Sequence, residues 1–141
     1  MQLSTHFSVK ELVDPETVKV MGEVRAANTV HQVLIDTLED LKDHLNGALI
    51  TVNSYEWGGN FRYSGVRPHT YTDGAKFSSH RYGNTADCKF EDLTATWVQQ
   101  LILKHPEDFP NIVRMEDAAI TKTWLHIECG KRSGPIVVFK P

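Results

Sequence analysis

Two hydrophobic periods divide this 141-residue chain, and that division limits what it can fold into. Val30, Val33, Leu34, Leu38, Leu41 and Leu45 recur at helical spacing, so one stripe of a helix over about Thr29 to Leu45 is apolar, with Gly47 as its stop. From about Ile112 onwards the apolar runs are short and bounded by turn residues, the pattern of strands. Helical signals first and strands last predict an α+β fold, with N-terminal helices and a central antiparallel sheet.

Further elements fit between these two regions. Ser8-Val9-Lys10-Glu11 reads as a capping box opening a short helix, and Asp14-Pro15 as an N-cap followed by proline at the first helical position. Ala48 to Tyr55 and Thr85 to Phe90 read as strands. Leu93 to Lys104 reads as a helix with Leu93, Trp97, Val98 and Leu101 inward, ended by His105-Pro106. Three strands close the chain, at about Ile112–Glu116, Thr123–Cys129 and Pro135–Lys140, and Gly130 to Gly134 reads as a hairpin turn between the last two. Trp57 to Phe77 has no period but is rich in glycine and aromatics, which predicts an ordered functional loop.

No repeat or linker interrupts residues 1–141, so a single domain is expected. A formal charge of −3 gives no basic face for nucleic acid. No apolar run reaches the length of a membrane span. The opening Met1 to His6 lacks the basic and apolar regions of a signal peptide, which predicts synthesis in the cytoplasm. Two cysteines are too few for a disulfide framework. The sequence does not specify an oligomeric state.

The chemistry concentrates in two segments. His80 and Asp87 lie seven positions apart, with Gly83 between them to allow a sharp turn. In Trp124-Leu125-His126-Ile127-Glu128, alternation places Trp124, His126 and Glu128 on one strand face. Imidazole nitrogen and carboxylate oxygen both suit zinc, and three protein ligands with a fourth position left for water is the catalytic arrangement. On spacing alone, local capping by His80, local capping or pairing by Asp87 and a satisfied strand histidine at His126 are the favoured reading. By the same alternation Cys88 and Cys129 point away from this centre, towards the core, as free thiols.

The residues around the spacing go further. Ser79-His80-x-x-Gly83-x-x-Ala86-Asp87, followed by Trp124-x-His126-x-acid, resembles the zinc D-alanyl-D-alanine carboxypeptidase and L-alanyl-D-glutamate endopeptidase family of murein peptidases, which shares its zinc core with lysostaphin-type peptidases and the hedgehog domain. His6-Phe7-Ser8-Val9-Lys10-Glu11-Leu12 is similar to the opening of its phage-type members, and Ser64-Gly65-Val66-Arg67 to their arginine-bearing segment. The resemblance runs from about residue 3 to 130. It implies an α+β fold of that type, Zn²⁺ held by His80, Asp87 and His126, and Arg67 on a carboxylate of the peptidoglycan stem peptide. It implies a phage-type endolysin, an endopeptidase rather than a carboxypeptidase, acting on the cell wall after release or delivery.

The sequence departs from the family pattern at the general base. Thr123 stands where the family often has an acid three residues before the last histidine, and Trp124 where many relatives have a second histidine. The base is then expected to be Glu116, if the Asp117–Lys122 connection folds as a hairpin, or else Glu128. An inactive zinc-containing binding or virion-structural domain is the alternative that this departure opens.

Overall fold

The computed structural model describes every residue except Lys76. The chain opens with α1 (Val9–Leu12), α2 (Pro15–Met21), α3 (Glu23–Ala27) and α4 (Gln32–His44). Then come β1 (Ile50–Thr51), β2 (Thr85–Phe90), α5 (Ala95–Lys104), β3 (Ile112–Glu116), β4 (Leu125–Cys129) and β5 (Val137–Phe139). This is an α+β fold. The caps act as their residue types require: Glu11 accepts from the Ser8 N–H at 2.7 Å, and Asp14 Oδ1 from the Thr17 N–H at 2.8 Å.

The strand order is β1-β2-β4-β3-β5. The first four strands pair antiparallel, whereas β5 runs parallel to β3, so the sheet is mixed. The expected hairpin between the last two strands is therefore absent. The physical reason is occupancy, because β4 already has β2 on one side and β3 on the other. The end of β4 lies beside the start of β3, since Cys129 pairs with Ile112, so a chain leaving β4 for the free edge of β3 must run parallel to β3. Arg132 fixes this crossing by donating to the Pro106 and Gly134 carbonyls.

One face of the sheet is the core face. Ala86, Cys88, Met115, Leu125, Ile127 and Cys129 are buried there, and α4 and α5 pack on β4. Losing one such large side chain costs about 2–5 kcal/mol. Alternation sends Asp87, Arg114, Glu116, His126 and Glu128 to the opposite face. On α5 the buried stripe is Ala95, Val98, Gln99 and Ile102, while Trp97, expected inward, is half exposed. The inward polar residue is satisfied: Gln99 donates to the Glu116 carbonyl at 2.7 Å and accepts from the Ala118 N–H at 3.1 Å. It thereby fastens the start of the β3–β4 connection.

The strand expected over Ala48–Tyr55 pairs only at Ile50 and Thr51. Asn53 then leaves the sheet and bridges two segments, donating to the Val13 carbonyl at 3.2 Å and accepting from the Ser64 N–H at 2.9 Å. Among the described residues no helix is long and apolar enough to cross a membrane.

Candidate metal centre

His80 lies in a 3₁₀ turn, Ser79–Tyr82, that Gly83 ends with φ +74. A Cβ on Gly83 would stand 1.8 Å from the Thr29 carbonyl oxygen, so both conformation and space require glycine there. The turn presses the His80 ring into the protein, where it is almost fully buried. Its Nδ1 lies 2.8 Å from the Gly65 carbonyl oxygen. A carbonyl only accepts, so Nδ1 is the donor there, and Nε2 is the nitrogen turned towards the site. That Nε2 faces Asp87 Oδ2 at 3.3 Å.

Asp87 on β2 is the direct cross-strand partner of His126 on β4. Its Oδ1 lies 2.8 Å from His126 Nδ1, and the other nitrogen of His126, Nε2, lies 3.2 Å from Glu128 Oε1. The donor atoms of His80, Asp87 and His126 all fall within 4.8 Å of one another. Ligands on a tetrahedral ion with bonds of ~2.0–2.1 Å stand about 3.3 Å apart, and Asp87 stands 3.3 Å from His80 Nε2 and 2.8 Å from His126 Nδ1. The three residues thus form a group able to hold a metal ion, the same three that the motif resemblance implies.

The surroundings fit that use. Burial pushes the Asp87 carboxyl up, but hydrogen bonds from His126 and His80 overcome it and hold the group well below the usual carboxylate range. Burial pushes the His126 imidazole down, and the Asp87 and Glu128 carboxylates reverse this, raising it to about 9. The hydrogen bond from His126 lowers the Glu128 carboxyl against the opposing effect of burial. With Nδ1 given to a metal, the remaining N–H of His126 points at Glu128, the carboxylate–histidine arrangement that fixes a ligand's orientation. Ser79 Oγ donates to the same Glu128 oxygen at 3.2 Å.

A cavity of about 450 Å³ opens over this group, and its walls include Arg67, Arg114, Glu116, Trp124, Glu128 and Phe139. Glu116 ends β3, one step beyond the Met115–Ile127 pair and towards His126. Its charge is among the influences that raise the His126 imidazole. Thr123 is exposed and lies outside these walls. Asp117 turns to the loop, where Oδ1 accepts from the Ala119 N–H at 2.9 Å.

Arg67 lines the cavity but is largely committed. Its Nε donates to the Tyr63 carbonyl at 2.5 Å and one Nη to Asp87 Oδ2 at 3.2 Å. Its other Nη would stand 3.5 Å from a Cβ on Gly74. Cys88 and Cys129 are free and buried on the opposite face, and burial raises both thiols, Cys129 to about 12. A second group, His105, Glu107 and Asp108, lies outside this cavity at the end of α5.

Three supporting residues escape sequence inspection: Gly65, through its carbonyl; Gln99, through the β3–β4 connection; and Arg114, which shares the Glu116 face by period-two alternation. Only the last leaves a sequence signal, two positions before Glu116. No protein-family model, curated protein or solved structure matches the chain.

Proposed function

We propose that this chain is a zinc metallopeptidase that hydrolyses a peptide bond in the peptidoglycan stem, in the manner of a phage-type endolysin. The observation that carries the reading is the convergence of two histidines and one carboxylate in an open cavity that also holds Glu116. Two imidazoles and one carboxylate are a ligand set of catalytic zinc sites. The motif resemblance supplies the substrate class.

Zinc bound there would supply Lewis acidity, lowering the pKa of a water and polarising the scissile carbonyl. Glu116 accepts the proton of the attacking water and passes it to the leaving amine. Glu128 orients His126 rather than acting as base, because its Oε1 is already shared by His126 and Ser79. Arg67 holds Asp87 through Oδ2 and offers its remaining amino group to substrate.

The test is incubation of zinc-loaded protein with purified wall fragments, read by mass spectrometry. New amino termini within the stem peptide support the proposal. One observation favours a second reading, a zinc-containing domain without hydrolysis: the position three residues before His126 is an exposed threonine outside the cavity. Intact fragments after incubation with fully loaded protein would favour that reading.

A further inference from the structure

Arg114 is a cation in the cavity with most of its hydrogen-bonding capacity unspent. It stands on β3 opposite Glu128 on β4, two residues before Glu116. Its side chain remains 48% exposed, against 17% for Arg67. The guanidinium lies over the Phe139 ring, 4.2 Å from the centroid, which holds it in place without using its N–H groups. Its nearest charge is Glu128 Oε2 at 3.7 Å, an ion-pair separation too long for a hydrogen bond. Glu128 meanwhile directs Oε1 to His126 and Ser79. A planar fork of five donors is thus fixed at the cavity wall, one carboxylate away from a metal ligand.

The charge around it restricts what it can receive. Glu116 and Glu128 face the cavity and repel an anionic substrate group where they stand, which leaves the wall's arginines to receive one. Arg67 already spends Nε on Tyr63 and one Nη on Asp87, so it has a single amino group left for substrate. Arg114 is where a carboxylate can be accepted in two-pronged fashion near the reacting bond. A carboxylate borne on the α-carbon of the leaving amine is of that kind. In a stem peptide both a chain-terminal residue and a γ-linked glutamate present one, so the chemistry is shared whichever bond is cut.

We propose that Arg114 is the specificity-determining residue that binds the α-carboxylate of the leaving-side residue. The proposal rests on the peptidase reading for its substrate, and its test separates the two. The probe is a stem peptide whose scissile amide is replaced by a ketomethylene link, made with the leaving-side α-carboxylate free or as the amide. Equilibrium binding to zinc-loaded wild type, Arg114→Ala and Arg114→Lys is measured, with zinc content and melting temperature recorded for each.

Wild type should bind the carboxylate form about 10- to 100-fold more tightly than the amide form. Arg114→Ala should bind the two forms equally while keeping its zinc, and Arg114→Lys should recover part of the preference. The preference persisting in Arg114→Ala would overturn the proposal, as would a wild type indifferent to the carboxylate. If Arg114 served only to neutralise Glu128, its loss would weaken both forms alike and leave their ratio unchanged, which also overturns it. Hydrolysis of the natural-amide peptides is followed in parallel. Absence of cleavage with the carboxylate preference intact would sink the peptidase reading and leave Arg114 as the anchor.

Discussion

Gly65→Ala tests whether the loop that carries Arg67 is built to hold His80. A Cβ at Gly65 would meet the Leu12 carbonyl oxygen at 2.1 Å and the Leu12 carbonyl carbon at 2.8 Å. Both are backbone atoms, so no side chain can move aside. Relief requires the segment to withdraw by roughly 1 Å, well beyond the slack of a close-packed interior. Two backbone bonds span this contact, Val66 N–H to Leu12 at 2.7 Å and Asp14 N–H to Val66 at 3.2 Å. Losing one or both, with the strain of overpacking, costs about 2–4 kcal/mol. For a chain of this length that lowers the melting temperature by about 6–15 °C. The same displacement carries off the Gly65 carbonyl that fixes the His80 tautomer, so zinc affinity should fall by about 10- to 100-fold. Gly134→Ala, where an added Cβ meets nothing within 4 Å, is the control and should stay within about 0.5 kcal/mol of wild type. Thermal melts and competitive chelator titration read both effects. A Gly65→Ala protein that melts with wild type and binds zinc equally well would refute the reasoning.

Other outcomes follow from the same geometry. His126 has its pKa raised from 6.5 to about 9 in the metal-free protein, so its contribution to stability is full below pH 6.5 and is lost as pH rises through about 9. Zinc must displace that proton, so its affinity should rise about tenfold per unit from pH 7 towards 9, with close to one proton released at pH 7, measurable by calorimetry in buffers of different ionisation enthalpy. Glu128→Gln, assayed at pH 9.5 where that competition is small, should weaken zinc by about 10- to 100-fold. If zinc is unchanged and turnover alone falls, Glu128 is the base and Glu116 is not. Cys88→Ser and Cys129→Ser should each retain zinc, because both thiols lie on the other face of the sheet. Loss of metal in either variant would contradict the strand phasing.

The parts of this molecule that were legible in its sequence are those set by local period and spacing. The stripe of α4, the caps of α1 and α2, and the phasing of Asp87 against Cys88 and of His126 against Cys129 depend on alternation or on neighbours a few residues away. The pairing partner of β5 was not legible, because it depends on which sides of β4 are already taken. Of the residues expected inward on α5, Val98 is buried and Leu93 and Leu101 pack against the core, but Trp97 is exposed and Gln99 is buried instead, a polar residue whose two partners lie at the end of β3 and in the turn after it. The three residues of the candidate metal group were legible through the motif around them, because their spacing alone fits local capping. The groups that hold them were not: a backbone carbonyl at Gly65 has no side chain to betray it, and Arg114 gains meaning only once β3 lies beside β4.

The central claim is that His80, Asp87 and His126 hold zinc for a hydrolysis that Glu116 assists. It is tested most directly by measuring zinc stoichiometry and stem-peptide cleavage together in wild type and Glu116→Gln. The account predicts one zinc per chain in both proteins, with turnover in Glu116→Gln lower by about two to four orders of magnitude. Equal turnover in the two proteins, or no cleavage of any stem peptide by wild type carrying its zinc, would contradict it.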